Sequence, residues 1–376
     1  MKRIGNLWDK VTSIENIKLA HKQARKDKAF YKEVKMVDAD LDYYAEEIRS
    51  LLINKTYEVS EYRTQVIDDK GKDRKLMKLQ YYPDRIIQWA IMLQLEPIFL
   101  KTFCKHTCAS IPERGIKRAR NLMLSYLKDK YNSKYCYKMD IRKFYDNIDH
   151  KLLKEKLRHK IKDKDLLWLL DIIIDSYPGD VGVPIGSYLS QYFANFYLSD
   201  FDHFLKEKLQ IKKCIRYMDD VIILAKTKGI LHWYHYLIQM FLHTQSLELK
   251  RNYQIFSVDI RGIDFVGFRF FHNFILLRKK TIERIKVLHK DITYKIKVGA
   301  PITEKEFCAV NSYAGWLQLC NSYHLWESFI EPIKIAVYKY YWNLVNNNDK
   351  KSKRTKIICY NKYVYKFNSK KGDLVA

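Results

Sequence analysis

Apolar residues recur at helical spacing through residues 1–56, with charged positions between them. Spacings of three, four and seven residues put such side chains on one face of a helix. The pattern therefore predicts a group of amphipathic helices, whose apolar positions include Ile14, Ile17, Leu41, Ile48 and Leu51.

Beyond residue 56 the pattern changes to short runs that favour strands. An apolar, aromatic run at Tyr135–Tyr137 leads to Asp140, and β-branched runs occupy residues 213–216 and 221–225. Such residues favour strands, and polar residues between two runs favour a hairpin turn. Residues 68–71, Asp-Asp-Lys-Gly, predict another hairpin turn.

The most informative residues are Tyr217, Met218, Asp219 and Asp220, because they stand where the chain must reverse between two strands. Adjacent carboxylates at a hairpin tip repel each other unless cations neutralise them. The position therefore indicates metal binding, with oxygen ligands of the kind that Mg²⁺ prefers. The alternative is ordinary turn chemistry, in which aspartate is common.

Asp140, at the end of its own strand, supplies a partner for Asp219. Transfer of a nucleotidyl group to a 3′-hydroxyl needs two metal ions about 3.5–4 Å apart, held by carboxylates. Asp146 and Asp149 fit this role less well, because they precede the helical run at 151–160, where Asp149 is a plausible N-cap.

The net charge points to a polyanionic partner. The 376 residues include 69 Lys and Arg against 43 Asp and Glu, a formal charge of +26. Residues 347–376 contribute nine basic and two acidic side chains, so most of the excess belongs to the body of the chain. Together with 29 tyrosines, of which most are expected to pack internally, this predicts a basic cleft that binds nucleic acid.

Other features exclude a membrane or secreted class. No apolar run reaches the roughly 18 residues of a membrane helix, and residues 1–8 lack a signal-peptide pattern. Seven scattered cysteines favour reduced thiols and a cytoplasmic protein. Cys104, His106 and Cys108 have a spacing that could suit zinc, but no second ligand pair accompanies them, so zinc is disfavoured.

Asp140-x-x-x-Phe144-Tyr145 and the Tyr217–Asp220 run have the order and spacing of the palm motifs of reverse transcriptases, which the chain resembles. Pro83–Gln88, Leu95–Phe99 and Asp264–Phe270 resemble further blocks of that family. The resemblance implies an α+β right-hand polymerase with an antiparallel palm sheet. Its parts would be an N-terminal helical extension at 1–56, fingers at 57–134, a palm at 135–275, a helical thumb at 276–346 and a basic tail at 347–376.

The resemblance also implies roles for individual residues. Two Mg²⁺ ions would be held at the catalytic aspartates, namely Asp140, Asp219 and Asp220, with the backbone carbonyl of Ile141. Arg74 and then Lys78 match triphosphate contacts, unless they form a solvated strand face. Tyr145 matches a steric gate against ribonucleotides, with plain packing as the alternative. Phe265 and Gly267 match the primer grip.

Residues 182–191 carry the subfamily hypothesis. Many relatives have Gln where this chain has Ile185, followed here by Gly186 and, at the end of the block, Ser190-Gln191. We expect Ile185, Gly186 and Gln191 to contact the nucleotide. The block resembles reverse transcriptases of diversity-generating retroelements, which misincorporate opposite template adenines. Loss of a hydrogen-bonding amide is expected to weaken base discrimination, unless Ile185 only packs.

That subfamily implies template RNA, a cDNA or primer, deoxynucleotides and a small, basic, oligomeric accessory protein as partners, in a bacterial or phage setting. The sequence leaves three alternatives open. A defence-associated or a group II intron-like reverse transcriptase would share the chemistry. A non-catalytic RNA-binding scaffold would share the fold, although such a scaffold gains nothing from three carboxylates beside RNA.

Overall fold

The structure is a computed structural model that describes residues 3–68 and 73–346, except for the side chains of residues 68, 73–75, 338 and 340–346. The predicted basic tail and most of the predicted turn at 68–71 lie outside the described residues. The chain divides into two compact units, one of residues 1–122 and 131–256, the other of residues 123–130 and 257–376.

The first unit begins with the predicted amphipathic helices. Ile17 and Ile48 are buried, as their spacing indicated. Side chains of Ser13 and Asp40 accept hydrogen bonds from backbone N–H groups and so cap the second and fourth helices. The helices are α1 (Trp8–Val11), α2 (Ile14–Ala24), α3 (Lys32–Ala39) and α4 (Leu41–Ile53).

A two-stranded hairpin and a long helix follow. Strands β1 (Arg63–Asp68) and β2 (Asp73–Lys78) pair antiparallel, which confirms the predicted hairpin. Helix α5 (Ile86–Thr102) has apolar side chains on nearly every face and packs against α2 and α9 (Tyr188–Tyr197). A helix that is apolar all round belongs in a core, and α5 joins the N-terminal helices to the rest of this unit. Helix α6 (Gly115–Leu127) follows it.

A four-stranded sheet forms the centre of the first unit. Its order is β4-β5-β3-β6, and β5 pairs antiparallel with both β3 and β4. The inner strand β5 is buried along Val221–Ala225, whereas its first residue, Asp220, is half-buried at the strand end. The strands are β3 (Tyr135–Asp140), β4 (Cys214–Tyr217), β5 (Asp220–Ala225) and β6 (Gln254–Ser257).

Helices complete this unit. The Asp149 side chain accepts a 2.8 Å hydrogen bond from the Leu152 N–H, so Asp149 is the predicted N-cap. An aspartate engaged in this way stabilises the helix start. The remaining helices are α7 (His150–Lys160), α8 (Lys164–Asp175), α10 (Ser199–His203) and α11 (Lys228–Thr244).

The second unit contains a three-stranded antiparallel sheet followed by helices. Phe265, Phe268 and Phe270 fill its core. Thr303 and Glu306 form a capping box at the start of α14. The elements are α12 (Val258–Arg261), β7 (Ile263–Phe265), β8 (Phe268–Phe270), β9 (Ile275–Leu277), α13 (Lys279–Lys297), α14 (Glu304–Leu317), α15 (Tyr323–Phe329) and α16 (Glu331–Asn346).

Helices and antiparallel sheets together confirm the predicted α+β class. Among the described helices, none combines the length and the apolar composition that crossing a bilayer requires.

Gly267, in the turn between β7 and β8, tests the packing of the second unit. Its φ is +90°, and a Cβ there would lie 2.5 Å from the Trp316 ring. We expect Gly267→Ala to lower the free energy of unfolding by about 1–3 kcal/mol, from backbone strain and overpacking. Urea denaturation followed by tryptophan fluorescence measures this change.

Gly315→Ala is the matched control. Gly315 lies inside α14, and a Cβ there meets nothing within 4 Å. Alanine should raise helix stability there by about 0.5–1 kcal/mol. A Gly267→Ala protein as stable as the wild type would contradict the observed packing.

Candidate active site

The predicted reversal at Tyr217–Asp220 is a tight hairpin. Tyr217 at the end of β4 pairs with Asp220 at the start of β5, so Met218 and Asp219 form the two-residue turn. Met218 has a φ of +56°, in the left-handed region that residues other than glycine rarely adopt. The turn therefore holds a strained conformation beside the two carboxylates.

The register of the central strands brings two aspartates face to face. Asp140 pairs directly with Asp220 across β3 and β5. Directly paired residues of antiparallel strands point to the same side of the sheet, with Cβ atoms about 4.5–5.5 Å apart. The Asp219 backbone is joined to Ile141, the residue after Asp140, because its carbonyl accepts a hydrogen bond from the Ile141 N–H at 3.2 Å. That the Asp219 side chain faces Asp140 stays a prediction.

The backbone of Ile141 points toward the same corner. Ile141 forms an antiparallel bridge with Leu249, in which the bonds run from the Arg142 N–H to Glu248 and from the Lys250 N–H to Asp140. In this register the N–H and C=O of Ile141 itself point away from Leu249. Its carbonyl therefore points to the side on which Asp219 lies, consistent with the predicted ligand role.

Two lysines partly neutralise the paired carboxylates. The Nζ atom of Lys250 lies 2.5 Å from Oδ1 of Asp140, and that of Lys138 lies 3.6 Å from Oδ2 of Asp220. Burial raises the pKa of Asp220 to about 6, with Lys138 opposing and the charges of Asp140 and Asp219 adding to the rise. The two lysines therefore leave part of the negative charge uncompensated.

The donor atoms fit a hard divalent cation. Among the residues that the structure describes, none donates a hydrogen bond to the buried Oδ1 of Asp220, and the contact of Oδ1 of Asp140 is its ion pair with Lys250. Buried carboxylate oxygens without hydrogen-bond donors are suited to Mg²⁺. Within residues 3–68 and 73–346, no three His, Cys, Asp or Glu side chains are arranged to hold an ion by themselves. Backbone and substrate oxygens would have to complete the coordination.

A buried ion pair that the sequence did not predict lies behind the turn. Arg216, in β4, and Asp202, in α10, are both completely buried. Arg216 donates from Nε and Nη2 to the two carboxylate oxygens at 2.7 and 2.6 Å, and from Nη1 to Asn195 Oδ1 at 3.2 Å and the Met218 carbonyl at 3.1 Å. Burial alone would raise the pKa of Asp202, but the guanidinium holds that pKa below its ordinary value.

Tyr145 lies beside the turn, as the gate hypothesis requires. Its hydroxyl contacts the Met218 sulfur at 3.7 Å. Burial raises the pKa of Tyr145 to about 12, and the Asp219 charge adds to the rise. Tyr145 therefore stays neutral and half-buried next to the carboxylates; its role as a steric gate remains a prediction.

A cavity of about 250 Å³ gathers three of the predicted nucleotide contacts, Lys78, Gly186 and Gln191. The cations Lys28 and Arg85 line it as well, and burial followed by the Arg85 charge lowers the pKa of Lys28. Its other lining residues include Gln88, Trp89 and Tyr188, and the rings of the last two stack at 4.4 Å. Such a cavity suits a ligand with an anionic group and a flat ring.

The lining of this cavity does not bear out two other nucleotide contacts predicted from the sequence, Ile185 and Arg74. Ile185 immediately precedes Gly186 but is not among the described residues that line the cavity. Arg74 is the second residue of β2, and its side chain is outside the described part of the chain. Both assignments remain predictions.

The predicted primer-grip residues lie in the second unit. Phe265 ends β7 and is completely buried, so it could reach a primer only through its backbone. Gly267 occupies the following turn beside Trp316. Their part in primer binding remains a prediction.

The Cys104–Cys108 segment packs around Asp202. His106 Nε2 lies 3.5 Å from Asp202 Oδ1, and burial raises the pKa of both thiols to about 11. Thiols with raised pKa values stay protonated at neutral pH, whereas zinc binds thiolates. Zinc binding here would therefore first require both thiols to lose a proton.

Comparison with known proteins matches residues 67–270 to the model of the family described as reverse transcriptase (RNA-dependent DNA polymerase). The chain is 26% identical to protein YkfC of Escherichia coli K12 over 183 residues, 46% of this chain and 48% of that protein. It is also 26% identical to the group II intron-encoded protein LtrA of Lactococcus lactis subsp. cremoris over 191 residues, 47% of this chain and 31% of that protein.

Among solved structures, apo telomerase from Candida tropicalis aligns with a TM-score of 0.46 at 13% identity, covering 67% of this chain and 56% of that one. The chain spans less than half the length of the two curated relatives, YkfC and LtrA.

Asp220 gives a pH-dependent test of the charge at this site. Its pKa of about 6 lies above the 3.8 of a free aspartate, so the fold favours the protonated form. The free energy of unfolding should therefore fall, through Asp220, as the pH rises from about 4 to above 6. In EDTA at pH 8, Asp220→Asn should raise the free energy of unfolding by about 1–3 kcal/mol.

Urea denaturation at pH 4 and pH 8 checks this expectation, and the gain should vanish at the lower pH. Asp180→Asn, at an exposed position of the same unit, is the control and should behave as wild type at both. A gain that is larger at pH 4 than at pH 8 would contradict the charge assignment.

Proposed function

Because the chain belongs to the reverse transcriptase (RNA-dependent DNA polymerase) family, whose model matches 204 of its 376 residues, we propose that it is an RNA-directed DNA polymerase. The family confirms the predicted right-hand polymerase fold. The observation that carries the proposal is the register that puts Asp140 opposite Asp220, directly beside the Met218–Asp219 turn. Reverse transcriptases in general work with divalent metal ions.

In the proposed mechanism, Asp140, Asp219, Asp220 and the Ile141 carbonyl would hold two Mg²⁺ ions. Bound there, the ions would supply activation of the primer 3′-oxygen and stabilisation of the triphosphate leaving group. Residues of the chain itself position the groups of this site. Ile141 fixes the Asp219 backbone through its N–H, and Tyr145 borders the site where the sugar of the incoming nucleotide would lie.

The proposed substrates are deoxynucleotides, a primer and a template RNA. The cavity lined by Lys28, Lys78 and Arg85 supports contacts with phosphates, since lysine and arginine are the side chains that bind them. The net charge of +26 supports binding to a polyanion. We assign fingers, palm and thumb to residues 57–134, 135–275 and 276–346, after an N-terminal extension and before the basic tail.

We further propose error-prone synthesis opposite template adenines, as in diversity-generating retroelements, with a small, basic, oligomeric accessory protein as partner. The apolar Ile185 beside Gly186 supports this proposal, because Gly186 and Gln191 line the cavity and no amide stands at position 185. Similarity to LtrA favours a second candidate, a group II intron-like reverse transcriptase.

Asp219→Asn tests the polymerase proposal. The change removes a charge at the turn without altering its size, so extension of a primed RNA template should fall by about 10³-fold or more. Affinity for the primed template should stay within about twofold, since binding depends mainly on basic side chains. Primer-extension kinetics and fluorescence anisotropy measure the two quantities.

Asp146→Asn is the matched control, because Asp146 is an exposed aspartate just after the end of β3. Its extension rate should equal that of the wild type. Undiminished synthesis by the Asp219→Asn protein would refute the polymerase proposal, whereas a wild type that binds RNA but never extends a primer would favour the non-catalytic scaffold.

Ile185→Gln tests the fidelity proposal. A restored amide at this position should reduce misincorporation opposite template adenine by about tenfold, because one positioned polar contact can change discrimination by that amount. Deep sequencing of the cDNA gives the error rate at each template base. Ile185→Leu keeps an apolar side chain and should leave the spectrum unchanged; an unchanged spectrum in the Gln variant as well would exclude this explanation.

A further inference from the structure

Arg216 is joined to the catalytic turn by a single hydrogen bond. Its side chain is completely buried and lies one position before Tyr217. Two of its nitrogens bind Asp202, and the third, Nη1, is shared between Asn195 and the carbonyl of Met218. One guanidinium therefore connects a helix pair to the turn that carries the aspartates.

Stability alone explains this arrangement poorly. Removing two charges from water carries a desolvation cost that their attraction only just repays, and apolar side chains of similar volume often do as well. A buried pair has more to offer in fixing a geometry. The bond from Arg216 to Met218 is the part of the network that reaches the proposed active site.

The turn needs such support, because Met218 has a φ of +56°. A side chain with a Cβ resists this left-handed conformation, and without restraint the turn would relax toward others. The N–H···O bond from Arg216 Nη1 restrains the carbonyl of that same residue. Asp219 and Asp220 follow directly, so a change at Met218 moves both.

We propose that Arg216 is a positioning residue for nucleotidyl transfer, which holds the Met218 carbonyl and thereby fixes the left-handed turn that presents Asp219 and Asp220. This inference rests on the proposed polymerase function. Arg216 touches neither substrate nor metal in this role and acts through the turn.

The anchor is rigid because each partner of Arg216 is held elsewhere. The Asp202 carboxylate also accepts from Thr107 Oγ1 at 2.7 Å, and Asn195 donates to the Ala109 carbonyl at 2.9 Å. The backbone of Arg216 is bonded to the segment around Thr107, because its N–H donates to the His106 carbonyl and its carbonyl accepts from the Cys108 N–H. Because these bonds hold the guanidinium in place, the position of the Met218 carbonyl is fixed by Arg216 rather than the reverse.

Lysine cannot replace this geometry. A guanidinium presents five donors in a fixed plane, whereas an ammonium concentrates three donors on one atom. Lysine at position 216 could keep the ion pair with Asp202 but could not also reach Asn195 and Met218. Arg216→Lys should therefore keep the ion pair with Asp202 while removing the hydrogen bond that supports the turn.

Arg216→Lys should lower kcat for primer extension by about 10²-fold at saturating deoxynucleotide, the loss that a shift of about 1 Å at reacting groups can cause. The KM for the nucleotide should stay within about twofold, since its binding residues are untouched. The control is Arg158→Lys, which alters the exposed, doubly bonded pair with Asp171 between α7 and α8. Its kcat should equal that of the wild type.

Adding Met218→Gly distinguishes positioning from general stability. Glycine enters the left-handed region freely, so the double variant should recover about tenfold of the lost kcat. Met218→Gly alone should bring no gain, because Arg216 already holds the turn. A kcat per folded molecule of Arg216→Lys equal to the wild type, or a double variant with no recovery, would overturn the proposal.

Two further measurements cover a variant that does not fold and a failure of the proposed function. If Arg216→Lys is unfolded, Arg216→Gln with Asp202→Asn removes both charges and should show the same fall in kcat. The methyl resonance of ¹³C-labelled Met218, beside Tyr145, should shift in either variant. If the wild type extends no primer, the polymerase proposal fails, and an unchanged Met218 resonance then refutes the support of the turn by Arg216.

Discussion

Three aspartates that repel one another are held together at one corner of the central sheet, and much of the first unit serves to hold them there. Asp140 and Asp220 are opposite by strand register, and Asp219 follows a left-handed residue in the adjoining turn. Burial opposes the ionisation of Asp220 and raises its pKa to about 6. An isolated hairpin would separate these charges, so the surrounding structure must supply the restraint.

That restraint comes from both sides of the turn. On one side, Ile141 bonds to the Asp219 carbonyl, and its own pairing with Leu249 fixes where β3 ends. On the other, the Arg216–Asp202 pair bonds to the Met218 carbonyl from inside the core. The lysines at positions 138 and 250 reduce the repulsion without cancelling it. The corner is therefore geometrically rigid and electrostatically unsatisfied, a combination typical of cation-dependent sites.

The N-terminal helices help to build the cavity that contains Lys78 and Gly186. Helix α2 packs against α5, and Lys28, which follows α2, lines the same cavity as Lys78 of β2 and Gly186. Three cations from separate segments meet there, and proximity to Arg85 contributes to the lowered pKa of Lys28. Positive charge is thus concentrated in the cavity that Gly186 lines, whereas negative charge is concentrated at Asp219 and Asp220, which follow Met218.

Local features were predictable from the sequence, because their physics lies within a few residues. The hairpin around Asp219, the N-cap at Asp149, the amphipathic helices and the strand that ends at Asp140 all follow from short patterns. The partners of those residues do not. Arg216 reads as one cation in an apolar strand, and nothing in its surroundings names Asp202 or the Met218 carbonyl. Lys250 and Lys28 likewise find their neighbours only when distant segments pack, since strand register and helix packing, rather than sequence spacing, determine which charges meet.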